Sequence, residues 1–147
     1  IQALKEFQPI KHRMELVLKK NGILYINDSK ATNLTASIAA IKSFKDNIIL
    51  ILGGLDKSNT DFSVLQKYLK SKIDSIFCYG KSGTSIVNQV GSIYFYKDFT
   101  DCIKKACQFA KPGNIVLLSP GCASYDQFQD YRQRGLKFKK IIKMINK

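Results

Sequence analysis

The chain has 147 residues, 45% of them hydrophobic, and carries a formal net charge of +13. That length supports one ordinary core, since chains of this size hide roughly two-thirds of their unfolded surface on folding. No run of about 18 apolar residues is present, and Ile1 to Lys11 lacks the basic-then-apolar pattern of a leader, so neither a membrane nor export is indicated and the expected location is the cytoplasm.

The first residues, with Ile1, Leu4 and Phe7 on one side and Pro9 as a stop, predict a short helix. Residues 1–11 are an entry segment or linker remnant, and an upstream part of the protein is expected. Two apolar runs, Met14 to Leu18 and Ile23 to Ile26, flank Lys20-Asn21-Gly22, a strong hairpin signal, with the second strand ending at Asn27-Asp28. A helix follows from about Asn33 to Phe44, capped by Thr32 or Asn33, with Leu34, Ile38, Ile41 and Phe44 as its apolar stripe. Ile48 to Leu52 is apolar without a break and stops at Gly53-Gly54, as expected of a strand covered on both faces.

The same unit then repeats. Phe62, Leu65, Tyr68 and Leu69 predict a helix, Ile73 to Tyr79 a strand, Ser85 to Val90 a short helix and Ser92 to Tyr96 a further strand. Thr100 or Asp101 is the expected cap of a helix bearing Ile103, Ala106, Cys107 and Ala110, closed by Pro112-Gly113; Ile115 to Leu118 is the next strand. A last helix is expected from about Asp126, with a break near Gly135. The pattern gives an α/β fold: a Rossmann-like, mostly parallel sheet flanked by helices, with an N-terminal β-hairpin. It forms a domain over residues 12–147.

Several function classes recede on composition. Cys78, Cys102, Cys107 and Cys122 form no C-x-x-C pair and the single histidine, His12, is remote from them, so reduced buried thiols are expected and no metal site. The charge of +13 invites a nucleic-acid hypothesis, but of 24 basic residues only Arg13, Arg132 and Arg134 are arginines. The lysines are dispersed apart from Lys137, Lys139, Lys140 and Lys143, which suits a solvated surface better than base or phosphate readout.

In open parallel sheets ligands bind beyond the carboxyl ends of the strands. The segments there are chemically loaded: Asp28-Ser29-Lys30-Ala31-Thr32-Asn33, Gly53-Gly54-Leu55-Asp56-Lys57-Ser58 and Ser119-Pro120-Gly121-Cys122-Ala123-Ser124. Together they predict a site for a small anion with several oxygens. Lys30 and Lys57 bring ammonium charge, Thr32 and Ser124 hydroxyls, and helices starting near Asn33 and Tyr125 free backbone N–H groups. Asp28 and Asp56 would either hold the lysines or meet an amine, ribose or magnesium brought by the ligand. No G-x-x-x-x-G-K-[ST] or G-x-G-x-x-G fingerprint is present.

The strings His12-Arg13-Met14-Glu15, INDSKATN (Ile26 to Asn33), LGGLDKS (Leu52 to Ser58) and LSPGCASYDQFQDYRQRG (Leu118 to Gly135) resemble the carboxy-terminal domain of the Mur ligases. The resemblance is specifically to the branch that adds D-glutamate to UDP-N-acetylmuramoyl-L-alanine. It implies a three-domain enzyme that uses ATP to form an acyl phosphate of the UDP-muramoyl-alanine carboxylate, which the D-glutamate amine attacks, releasing phosphate. The P-loop and the Mg2+ ligands of that family belong to the missing central domain, so this chain is expected to hold neither ATP nor Mg2+ alone.

By position, the resemblance places Thr32, Lys57, Ser124, Tyr125 and Tyr131 in the D-glutamate pocket. It brings His12, Arg13, Asp28 and Lys30 to ATP when the domain closes, Asp28 and Lys30 being the catalytic candidates. The implied partners are D-glutamate, UDP-N-acetylmuramoyl-L-alanine, ATP and the N-terminal and central domains. Tyr131 departs from the Phe usual there, and Leu55-Asp56 from the small residue usual beside the glycine turn. Another Mur ligase and a basic nucleic-acid-binding module are the competing expectations.

Overall fold

The computed structural model describes residues 10–91 and 93–147, so the helix expected at Ile1 to Phe7 and the first residue of the Ser92 to Tyr96 strand lie outside the described residues. The elements are β1 (Glu15–Lys20), β2 (Ile23–Asn27), α1 (Leu34–Lys42), β3 (Ile48–Gly53), a 3-10 segment (Phe62–Tyr68), β4 (Ile73–Tyr79), α2 (Gly83–Val90), β5 (Tyr94–Tyr96), α3 (Phe99–Phe109), β6 (Ile115–Leu118) and α4 (Tyr131–Ile145). They form one six-stranded sheet in the order β1-β2-β6-β3-β4-β5. The β1–β2 hairpin is antiparallel and the other pairs are parallel.

The hairpin turns at Asn21 (φ 55°) and Gly22 (φ 76°), both in the left-handed region that a two-residue connection requires. Strand alternation then sorts the central residues onto two faces. Leu50, Leu52, Ile76 and Leu117 pack beneath α1, the 3-10 segment and α2, whereas Ile49, Ile51, Phe77 and Val116 pack beneath α3 and α4. Both faces of β3 are fully buried, as its unbroken apolar run requires. No helix among the described residues is long and apolar enough to cross a membrane.

Four local expectations are corrected. The helix expected around Phe62 is a 3-10 segment, because the buried residues Phe62, Leu65 and Tyr68 recur every three residues, the period of a 3-10 turn. The cap of α3 is Asp98, whose carboxylate accepts from Asp101 N at 3.1 Å, in place of Thr100 or Asp101. Phe99 sets that start: its ring is wedged edge-on between those of Tyr79 and Phe128.

The last helix begins at Tyr131 rather than near Asp126, with Asp130 capping Gln133 N at 2.9 Å. Residues 124–130 instead make turns, in which Gln127 N and Phe128 N donate to Ser124 O. Gly135 does not break α4. The helix runs through it, and a Cβ at that position would collide with the His12 ring, so the glycine is there for close packing.

Candidate functional site

The carboxyl ends of β2, β6 and β3 lie side by side, and the loops that leave them are stitched into one rim. Leu55 N donates to Ala123 O (2.9 Å) and Ala123 N to Leu55 O (3.0 Å); Gly53 N donates to Pro120 O and Gly121 N to Ala31 O, both at 2.9 Å. These bonds satisfy backbone groups that a buried loop could not leave bare. Gly53 (φ 137°) lies against the backbone of Tyr79 with no space for a side chain, which is why β3 ends on glycine.

Between these loops opens a cleft of about 350 Å³. Its lining includes Thr32, Lys57, Ser124, Tyr125 and Tyr131, the five residues that the family resemblance placed together, and also Asn33, Asp56, Ser58 and Thr60. The Lys57 ammonium lies 4.3 Å from the centre of the Tyr125 ring, a cation–π contact at the cleft mouth. Asn33 caps α1 by accepting from Ala36 N at 2.9 Å, which aims the positive end of that helix at the cleft. The second helix end expected there, near Tyr125, is absent because α4 starts at Tyr131.

The carboxylates do not hold the lysines. Asp56 accepts from Ser58 N (3.3 Å), Thr60 N (2.9 Å) and Thr60 Oγ1 (2.7 Å), folding the loop so that Lys57 projects from its crest. Burial raises its pKa, and the three donors outweigh that and hold the carboxyl below its ordinary range. Asp28 accepts from Ser119 Oγ (2.7 Å) and Met14 N (3.1 Å). Neither aspartate makes an ion pair with Lys30 or Lys57. Backbone and hydroxyl donors occupy the carboxylate oxygens first, a competition that residue spacing alone does not reveal.

His12, Arg13, Asp28 and Lys30 form a second cluster beside the cleft. Lys30 N donates to His12 O at 2.9 Å, and with the Met14–Asp28 bond this fastens the segment before β1 to the loop after β2. His12 (φ 68°) and Met14 (φ 48°) are held in the left-handed region, a local strain that the surrounding bonds maintain. Arg13 and Lys30 are exposed, whereas His12 and Asp28 are buried. Tyr131 joins the clusters: it lines the cleft and its ring meets His12 edge-on at 6.2 Å. Among the described residues no group of three or more His, Cys, Asp or Glu is arranged to hold a metal ion. Burial pushes the Cys78 and Cys107 thiols up to about 12, so they are inert packing groups.

Residues 12–122 match the family described as Mur ligase, glutamate ligase domain. The chain belongs to that family. It is 41% identical over 146 residues to the UDP-N-acetylmuramoylalanine–D-glutamate ligase of Caldicellulosiruptor saccharolyticus, covering 96% of this chain and 32% of that protein. With the enzyme of the same name from Protochlamydia amoebophila it shares 39% over 148 residues, covering 99% and 33%. The chain thus spans about a third of the length of these relatives. The fold also matches a bifunctional folylpolyglutamate synthase/dihydrofolate synthase with Mn, AMPPNP and L-glutamate bound, at TM-score 0.61 and 15% identity over 95% of this chain and 32% of that one.

In this Mur ligase domain one residue beneath the cleft was not singled out from sequence. Arg134 of α4 is fully buried and has no carboxylate partner among the described residues. Its Nε donates to Ser29 Oγ (2.9 Å), its Nη2 to Ser29 O (2.8 Å), and its Nη1 to Cys122 O (3.0 Å) and Tyr79 Oη (3.2 Å). Ser29 Oγ in turn donates to Tyr131 O at 2.7 Å. The helical period offered a signal, because Arg134 shares a face with Phe138, Ile141 and Ile142 and so points inward.

Two outcomes follow from this geometry. Arg134→Met strands two carbonyls and two hydroxyl oxygens at about 1–3 kcal/mol each, offset in part by removing a desolvated charge, so urea unfolding should register a net loss of about 2–4 kcal/mol. Burial lifts the Asp28 pKa from 3.8 to about 6, against the opposing bonds from Ser119 and Met14. Between these values the folded chain keeps a proton that the unfolded chain has released. This group therefore makes stability fall as pH rises from about 4 to 6, by on the order of 2–3 kcal/mol. Asp28→Asn should flatten that slope in unfolding measured from pH 4 to 7; equal slopes would refute the assignment.

Proposed function

We propose that this chain is the amino-acid-binding domain, residues 12–147 with 1–11 as its linker, of a cytoplasmic ATP-dependent ligase. That ligase adds D-glutamate to UDP-N-acetylmuramoyl-L-alanine in peptidoglycan synthesis. The observation that carries this reading is the cleft itself: a cationic mouth at Lys57, hydroxyls from Thr32 and Ser124, and the N-terminus of α1 surround a space suited to a small dicarboxylate. The names of the relatives, and the L-glutamate bound to the folylpolyglutamate synthase of like fold, agree with an acidic amino acid.

In this reading Lys57 meets a carboxylate of D-glutamate, with Thr32, Ser124, Tyr125 and Tyr131 closing around the rest of the molecule. His12, Arg13, Asp28 and Lys30 face ATP, which with Mg2+ is held chiefly by the central domain. ATP phosphorylates the UDP-muramoyl-alanine carboxylate; the D-glutamate amine displaces phosphate and an amide forms. The cationic rim formed by Arg13 and Lys30 stabilises charge on the acyl phosphate, and closure of the domain excludes water that would hydrolyse it. A diamino acid would set its second ammonium against Lys57, at a cost of about 1–4 kcal/mol for charges 4 Å apart in surroundings between water and a protein surface.

Lys57→Ala in the complete enzyme removes one charge-assisted contact. The KM for D-glutamate should rise roughly 10- to 100-fold while that for ATP stays near its original value. Equal changes in both constants, or none, would count against the role given to Lys57.

A further inference from the structure

Beside the cleft lies a buried polar relay built around Asn27, the last residue of β2, whose side chain is fully buried. Its Oδ1 accepts from Ser29 N at 3.1 Å. Its Nδ2 donates to Glu15 Oε1 at 3.1 Å and lies 2.9 Å from His12 Nδ1. A backbone N–H can only donate and an ionised carboxylate can only accept, so both ends of the amide are fixed by partners that have no alternative role. The atom that Asn27 turns to His12 is therefore a donor, and Nδ1 must accept.

A neutral imidazole whose Nδ1 accepts carries its proton on Nε2. Forming the imidazolium would put an N–H on Nδ1 facing the N–H of Asn27. Glu15 keeps the relay taut, since its carboxylate also accepts from Lys139 Nζ (2.8 Å) and His12 N (3.1 Å). Burial alone would raise the Glu15 pKa, but its bonds to Lys139, His12 N and Asn27 hold it below its ordinary range. The charged groups around His12 are Glu15 on β1, Lys139 and Arg132 on α4 and Lys11 in the preceding turn. Burial lowers the histidine's pKa, Glu15 opposes, and the three cations reinforce the lowering. Gly135 fixes the ring from the other side, because any side chain there would collide with Nδ1 and Cε1. Among the described residues Nε2 has no hydrogen-bond partner.

We propose that Asn27 is a positioning residue that locks His12 in the neutral tautomer with its proton on Nε2, so that this rim presents an uncharged N–H donor of fixed direction. The use of that donor rests on the reading of His12 as nucleotide-facing. Arg13 and Lys30 then supply charge to the phosphates, while His12 supplies direction without adding a third cation. Because the donor is neutral, its contact with an anionic oxygen does not have to be gained or lost as a histidine titrates.

The chain contains a single histidine, so an imidazole 15N–1H correlation spectrum reports this ring alone. Recorded without nucleotide, that spectrum tells a wrong tautomer apart from a wrong ligand. The expected result near neutral pH is Nδ1 at the unprotonated position and Nε2 at the protonated one, with titration at lower pH than for an ordinary histidine. Asn27→Asp, which replaces the donor by an acceptor, should move the proton to Nδ1 and shift the titration to higher pH. A wild-type ring with its proton on Nδ1, or an even mixture of the two tautomers, would overturn the proposal and requires no variant to fold.

Discussion

The buried guanidinium of Arg134 is the contact on which the site's geometry depends. Parallel strands end on one edge, and the loops that leave that edge have no sheet to hold them. Arg134 rises from α4 beneath the rim and donates to carbonyls of the loops after β2 and β6, and to the Tyr79 hydroxyl at the end of β4. A guanidinium is suited to this because it offers five donors in a rigid fork and stays charged in a dry surrounding. Its direct acceptors are all neutral, two carbonyls and two hydroxyl oxygens. Gly54 allows this packing, since a side chain there would crowd the guanidinium and the Ala123 carbonyl.

Two clusters follow from that arrangement, one around Lys57 and Ser124, the other around His12 and Asp28. They are neighbours because Asp28 and Thr32 lie on the same loop, and because Tyr131 touches both. Their chemistry differs. The cleft has an exposed ammonium stacked on an aromatic ring, hydroxyls and a helix N-terminus, which together suit carboxylate oxygens. The second cluster has exposed cations above a buried carboxylate and a clamped imidazole. Both open from one rim of the chain, at the carboxyl ends of its parallel strands.

Much of the fold was legible because a single local signal decided each element. Asn21-Gly22 between apolar runs fixed the hairpin, the unbroken Ile48 to Leu52 run fixed a doubly covered strand, and Ile73 to Tyr79 and Ile115 to Leu118 appear with the predicted bounds. The misses lie where tertiary contacts override local pattern. Residues 126–130 read as helix but are held in turns by distant partners: Gln127 accepts from Phe99 N and donates to Lys97 O. The cap of α3 moved to Asp98 because Phe99 had to enter the aromatic cluster.

Within the site, Lys57, Thr32 and Ser124 were legible as polar residues on loops after strands, and Tyr125 and Tyr131 through their family resemblance. The partners of Asp28 and Asp56 were not, since backbone donors leave no trace in residue spacing. Arg134 and Asn27 escaped for a related reason. Polar residues that end up buried look like surface residues until the acceptors around them are known.

The most direct test of the central claim, that the cleft is an acidic amino-acid pocket, is a backbone NMR titration of this chain with D-glutamate, with L-glutamate and L-lysine as controls. Shifts specific to D-glutamate and clustered at Thr32, Lys57 and Ser124 to Tyr131 are the expected result. Shifts elsewhere on the surface, or equal responses to the two enantiomers and to L-lysine, would contradict it.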